Sequence, residues 1–271
     1  MDCRGRSIPL GKRTLIMGIL NVTPDSFSDG GCYMDCGAAV LQAKQMVADG
    51  ADIIDLGAES TRPGFQSVSE AEELERLLPV LESLLWEIPV PISVDTTKAA
   101  VAERALSAGA HILNDQWALR SDPAMARLVA EYGVPVVLMH NQTHTGYNDL
   151  IGDIITYFNE SIQLAYTAGI SRDQIIIDPG FGFGKRVEDN LELIRRLKEL
   201  SCFGLPVLIG VSRKSTIGFV LDLPVEQRLE GTAAAVAVSI VNGADIVRVH
   251  DVREMTRVAR MTDAIIRGGG C

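Results

Sequence analysis

Eight short runs rich in Val, Ile and Leu recur along the chain, and nearly every one ends on polar or charged residues. They are Leu15–Asn21, Asp52–Glu59, Val90–Asp95, His111–Asp115, Pro135–His140, Ile175–Asp178, Val207–Lys214 and Ile246–Asp251. Stretches with helical spacing lie between and after them: Gly37–Asp49, Ser69–Trp86, Thr96–Ala108, Pro123–Tyr132, Asp149–Ala168, Val187–Leu200, Val225–Val241 and Arg253–Ile266. A βα unit repeated eight times predicts a closed parallel barrel, a single (β/α)8 TIM barrel over residues 1–271. In that architecture the carboxyl ends of all strands meet on one face and carry the active site, so the polar strand ends name its candidate residues.

Local signals support the alternation. Ser69 and Glu72 form a Ser-x-x-Glu capping pattern at the start of the second helix. ADGADIID, SAGAHILND and VNGADIVRV share a helix-to-strand turn in which Gly supplies the helix stop. The connections 22–36 and 60–68 are longer than a βα link requires and are rich in Gly, Ser, Thr, Pro and Asp, which predicts lids over the active face. GTAAAVAVSIVNGA, residues 231–244, is small or apolar around nearly its whole circumference, so both of its faces should be covered. The terminal helix or a second subunit could do this, and a homodimer contact is the expectation.

Composition narrows the function. With 271 residues, 47% of them hydrophobic, the chain can bury a large core in one compact domain. A formal charge of −10 disfavours general nucleic-acid binding, so any anion must be met by a local basic cluster. The apolar runs are too short for a membrane span, and MDCRGRSIPL has no secretion-signal core; a cytoplasmic protein is expected. Five scattered Cys, an odd number, are expected to be free thiols, since Cys32 and Cys36 have no second Cys or His pair with which to bind zinc.

The strand ends present Asn21, Asp55 with Glu59, Asp95, Asn114 with Asp115, His140, Asp178, Ser212 with Arg213 and Lys214, and Arg248 with His250. Acidic and amide groups fall on the middle strands and basic groups on the last two. This division suits a ligand with a donor-rich end and a phosphate or diphosphate end. Asp55 and Asp115 could equally well bind neighbouring loop amides. Asp95, Asn114 and Asp178 can point into one cavity, where lack of partners would cost about 1–3 kcal/mol each, and a donor-bearing ligand removes that cost.

Other chemistries lack their residues. DPGFGFGK at 178–185 has neither dinucleotide-fingerprint spacing nor a Walker Lys-Ser pair, so its glycines are taken to admit a flat ligand, with Phe181 or Phe183 as an apolar wall. No H-E-x-x-H or G-x-S-x-G occurs, and Ser212 is followed by two cations instead of a base. Asn21 offers an oxygen donor suited to Mg²⁺, which keeps waters and borrows phosphate oxygens.

Taken together, MGILNVTPDSFSDGG (17–31), ADIIDLGAESTRPG (51–64), ISVDT (92–96), ILND (112–115), LMH (138–140), DPGFGFGK (178–185), GVSRKS (210–215) and RVHDV (248–252) resemble the dihydropteroate synthase family over nearly the whole chain. The resemblance implies that the amine of 4-aminobenzoate displaces diphosphate from 6-hydroxymethyl-7,8-dihydropterin diphosphate. It also implies that Asp95, Asn114 and Asp178 hold the pterin edge, Lys214 its ring heteroatoms and Arg248 one ring face. Asn21 would help bind Mg²⁺, and Asn21, Arg248 and His250 the diphosphate. Phe27, Thr61, Arg62, Pro63, Phe183 and Ser212 would form the second-substrate site. One stretch, Asn141, Gln142, Thr143 and His144, departs from the family pattern and leaves the shape of that loop open. The rival readings are a folate-to-corrinoid methyltransferase on the same barrel and an idle pterin-binding barrel. SRKS and RVH argue against the first, and the presence of Asn21, Lys214 and Arg248 argues against the second.

Overall fold

The computed structural model describes residues 1–22, 32–59 and 68–268. The chain opens with an antiparallel hairpin, β1 (Asp2–Cys3) and β2 (Arg6–Ser7). Eight parallel strands follow: β3 (Leu15–Asn21), β4 (Ile53–Gly57), β5 (Ile92–Asp95), β6 (Ile112–Asp115), β7 (Val136–Met139), β8 (Ile175–Asp178), β9 (Leu208–Ile209) and β10 (Ile246–Val249). Their order is β8-β7-β6-β5-β4-β3-β10-β9, and a parallel bridge between Ile177 and Val207 joins the two ends into a ring. Around it stand α1 (Cys32–Ala48), α2 (Glu70–Glu87), α3 (Ala99–Ala108), α4 (Pro123–Tyr132), α5 (Leu150–Ala168), α6 (Val187–Arg196), α7 (Ser215–Leu221), α8 (Leu229–Val241) and α9 (Val252–Arg267).

The period of two along a strand organises everything inside the ring. Leu15, Met17, Ile53, Ile112, Val137, Ile176, Leu208 and Ile246 form one interior cluster, while Ile16, Leu20, Ile54, Leu113, Val136, Leu138, Ile177 and Val247 belong to the larger cluster beneath the helices. The opening hairpin, which sequence patterning did not anticipate, closes the amino-terminal end of the ring. Cys3 and Ile8 join the interior cluster, Arg4 donates to the Leu106 and Ala110 carbonyls, and Arg6 donates to those of Leu85 and Val90.

Helix α2 starts as its capping pattern predicts, with the Ser69 side chain accepting from the Glu72 amide. Four expected elements differ in extent. Helix α1 begins at Cys32 instead of Gly37, so the connection expected over 22–36 ends five residues early. Val207–Lys214 is a strand only at Leu208–Ile209, and by Arg213 the backbone has turned to φ 56°. The short helix α7 follows directly and stops at Asp222, which is left-handed. Val225–Val241 divides into a 3-10 turn at Val225–Gln227 and α8, and Val187–Leu200 passes from α6 into a 3-10 segment, Leu197–Phe203, that ends on left-handed Gly204. No described helix is long and apolar enough to cross a membrane.

Candidate active site

The inward parity that places Ile53, Ile112, Ile176 and Ile246 in the core continues two residues further as Asp55, Asn114, Asp178 and Arg248. Polar groups thus rise from the same interior faces toward the carboxyl rim. Strand pairing sets Asn21 opposite Gly57, Gly57 opposite Asp95 and Asp95 opposite Asn114, so one level of the barrel spans four strands. The bare Gly57 leaves room within this row, because a Cβ there would approach the Asn21 amide oxygen to 3.4 Å and Asp95 Cβ to 3.7 Å.

Arg248 crosses the cup and ties it together. Its Nε donates to Asp55 Oδ2 at 2.6 Å, and its Nη2 donates to Asp95 Oδ2 at 2.9 Å. Asn114 Nδ2 also donates to Asp55 Oδ2, at 3.1 Å, while Gln116 Nε2 donates to both Asp95 oxygens at 2.8 and 3.0 Å. Burial removes water from Asp95 and raises its pKa to about 7; Arg248 opposes the rise and Asp55 adds to it. Burial alone would lower the Arg248 pKa, but the flanking carboxylates outweigh it and hold the guanidinium above its ordinary value. Asp178 is raised to about 6 by burial, even though it accepts from the Gly180 amide at 2.8 Å.

The basic side occupies the neighbouring strands. Lys214 Nζ lies 4.1 Å from the Phe183 ring centroid, a cation–π distance. Ser212 Oγ accepts from the His250 amide and lies 3.0 Å from His250 Nδ1. Burial and the nearby Arg248 and Arg213 push the His250 pKa down to about 4, so the ring is neutral near pH 7. This Ser–His pair is not a hydrolytic dyad in the making, because an imidazole held at so low a pKa is a poor general base.

Sequence reasoning and structure meet unevenly. Asn21, Asp95, Asn114, Asp178, Phe183, Ser212, Lys214, Arg248 and His250 stand at the carboxyl ends of the strands or in the loops directly after them. Phe27, Thr61, Arg62 and Pro63 lie outside the described residues, as do most of the two long connections. Of the two open carboxylates, Asp55 belongs to the cup, whereas Asp115 accepts from the Trp117 and Leu119 amides as a loop support. Gln116 was missed although it shares the parity of Ile112 and Asn114. Phe181 is buried in the core, whereas Phe183 is half-buried with its ring against Lys214. Arg213, expected to act at the rim, is engaged by Asp251 through its Nε and Nη2. The divergent stretch 141–144 and the residues after it run along the 180–186 segment: Gln142 and Tyr147 both donate to the Gly184 carbonyl, and Arg186 donates to that of Thr145. The far end of the second long connection is held by Glu59, which accepts from the Val68 amide, and by Lys98, which binds Glu59, buried Glu73 and the Val68 carbonyl.

A magnesium ion fits only as a shared guest. Among the described residues no three His, Cys, Asp or Glu gather as a cage, and the donor facing the cup on β3 is the single Asn21 amide oxygen. That set suits a hard cation that completes its shell with phosphate oxygens and water.

A parallel barrel whose carboxyl-end cup sets carboxylates and amides against Arg, Lys and His has the layout of a barrel enzyme for a polar small molecule with an anionic arm. Residues 17–250 match the family model described as pterin binding enzyme. The dihydropteroate synthase of Bacillus subtilis is 54% identical over 259 residues, covering 96% of this chain and 91% of that protein. The Clostridium difficile dihydropteroate synthase structure, obtained in the presence of pteroic acid, superposes with a TM-score of 0.95 at 52% identity, covering 96% of this chain and 100% of that one. The Xanthomonas albilineans dihydropteroate synthase with 4-aminobenzoic acid gives a TM-score of 0.93 at 43% identity, covering 97% and 96%. The chain belongs to the dihydropteroate synthase family of pterin binding enzymes.

Proposed function

We propose that this chain, as one barrel domain over 1–271, condenses 6-hydroxymethyl-7,8-dihydropterin diphosphate with 4-aminobenzoate to give 7,8-dihydropteroate and diphosphate. The observation that carries this reading is the buried Asp55–Arg248–Asp95 group, flanked by Asn114 and Gln116 and standing in one cup with Asp178, Lys214 and His250. A pterin edge bears several N–H donors, and Asp95, Asn114 and Asp178 supply acceptors for them; Lys214 reaches ring heteroatoms and Arg248 covers a ring face. Phe27, Thr61, Arg62, Pro63, Phe183 and Ser212 surround the benzoate.

Diphosphate leaves as the electron-rich pterin spreads positive charge from its methylene, and Asp95, beside that ring, opposes the charge most directly. Arg248 and His250, with Asn21, receive the departing anion. Magnesium, held by Asn21, would supply charge neutralisation at the diphosphate. The 4-aminobenzoate amine is the nucleophile: its nitrogen bonds to the methylene carbon whose bond to the diphosphate oxygen has broken, and its released proton passes to diphosphate or water, so no protein nucleophile is needed.

The protein is proposed to work in the cytoplasm as a homodimer, without nucleic-acid or membrane partners. Support comes from free Cys3, Cys36 and Cys202 among the described residues, and from apolar side chains left exposed on α8 and α9. The test is a diphosphate-release assay with the pterin diphosphate, with and without 4-aminobenzoate, followed by chromatography. Release coupled to 7,8-dihydropteroate formation is expected; diphosphate release without that product, or no turnover, would contradict the assignment.

A further inference from the structure

Behind the rim lies a buried lysine that the proposed chemistry does not use. Lys185 is 8% exposed, and its Nζ lies 2.9 Å from His140 Nδ1, 3.0 Å from the Gly180 carbonyl oxygen and 3.1 Å from that of Phe183. An ammonium has three hydrogens, and here three acceptors meet it. Two of them belong to the loop that carries Phe183, and the third belongs to the residue after β7. The loop has little other latitude. Gly180 has φ 70°, and a Cβ there would run into the His140 carbonyl; Gly184 has φ 56°, and a Cβ there would run into Gln142. From the outer side, Gln142 and Tyr147 hold the Gly184 carbonyl.

We propose that Lys185, in its ammonium form, is a positioning residue that sets the 179–184 loop and thereby aligns Asp178, Phe183 and Lys214 for the pterin. The inference rests on the pterin-binding reading of the cup. Lys185 touches no reacting atom: its bonds shape the loop whose Gly180 amide meets Asp178 and whose Phe183 ring faces Lys214.

The protonation state follows from the surroundings. The charged and titratable groups facing Lys185 are His140 after β7, Tyr147 later in the same loop, Asp178 on β8, Asp189 on α6 and Lys214 at the start of α7. Burial dominates and lowers the Lys185 pKa to about 7; Asp178 and Asp189 oppose this fall, and Lys214 adds to it. His140, itself pushed down to about 3 by burial and by Lys185, stays neutral and able to accept. Deprotonation leaves the amine two hydrogens for three acceptors, so the loop loses a tie on the alkaline side. By linkage, pterin binding should raise the Lys185 pKa.

The experiment compares wild type with Lys185→Met, which keeps length and removes every donor. Affinity for 6-hydroxymethyl-7,8-dihydropterin is titrated calorimetrically from pH 6 to 9, and the ratio of the two affinities cancels the ligand's own ionisation. Wild type should bind at least tenfold more tightly at pH 6, with the ratio falling severalfold by pH 9 but staying above one, because the neutral amine keeps two donors that methionine lacks. A ratio near one at pH 6, or a large ratio that does not change with pH, overturns the proposal. Should Lys185→Met fail to fold, NMR of wild type with ¹³Cε-labelled lysine decides. The Lys185 resonance is expected to titrate well below the ordinary 10.5 and to move upward on adding the pterin, whereas a Lys185 titration that the pterin leaves unmoved overturns it. Absence of pterin binding by wild type would count against the functional reading, and the lysine titration would still decide the state of Lys185.

Discussion

Asp55 and Asp115 show how much one residue of register decides. Asp55 follows inward Ile53 by two and enters the cup; Asp115 follows outward Leu113 by two and supports a loop beneath the helices. The cup's carboxylates make binding pH-dependent. Asp95 and Asp178 have pKa values raised to about 7 and about 6 by burial, and a protonated carboxyl loses its charge as an acceptor. Pterin affinity should therefore fall as pH drops from 7 to 5, and a flat calorimetric profile across that range would contradict their role. The sign for stability is opposite. The folded form binds these protons more tightly than the unfolded chain does, so their contribution to stability is fully present below the ordinary 3.8 and is lost as pH rises through about 6 and 7. Asp178→Ala should weaken pterin binding by roughly 1.5–3 kcal/mol, the value of a charged hydrogen bond, and wild-type affinity in that variant would remove Asp178 from the site.

At the scale of elements, the hairpin β1–β2 does the work of a plug. A barrel interior is a packed core, and its amino-terminal mouth must be filled or wet. Cys3 and Ile8 fill it, and Arg4 and Arg6 fasten the hairpin to carbonyls in the last turns of α2 and α3 and just beyond them. Ile8→Ala should cost about 2–5 kcal/mol, because the cavity it leaves is walled by a closed ring of strands that cannot collapse far. An unchanged urea midpoint would show that the plug is dispensable. The sequence before Leu15 hid this element: strands of two residues carry too few positions to display a period of two.

For the whole molecule, the near-uniformly apolar α8 finds one cover in α9, which lies alongside it, yet Val238 and Val241 on α8 and Met261 and Ile265 on α9 remain 46 to 69% exposed. A second subunit is the cover that we propose. Sedimentation should give twice the mass of one chain, and Val238→Asp should shift it toward the monomer; a monomeric wild type would refute the dimer. Substrate order is the second global property. A benzoate alone offers few atoms with which to bind, whereas pterin and diphosphate provide the wall it rests on. Binding of labelled 4-aminobenzoate should be strengthened by a pterin analogue plus diphosphate and Mg²⁺. Equal affinity with and without them would exclude ordered assembly.

The sequence by itself determined the barrel and most of the rim. Eight apolar runs ending on polar residues can bury their backbones and display those ends together in essentially one closed arrangement, and the motif order from Asn21 to His250 named the family. Tertiary structure decided what depends on meetings between distant segments. Arg248 joins Asp55 and Asp95 across 193 and 153 residues of chain. The Lys185 ammonium draws three acceptors from two loops, and Gln142 of the divergent stretch joins Tyr147 as the outer brace of the 180–186 segment. Linear spacing encodes which face a residue takes, because that is set by local backbone geometry. Which charges share a buried volume, and therefore what their pKa values become, is set only when the ring closes and excludes water.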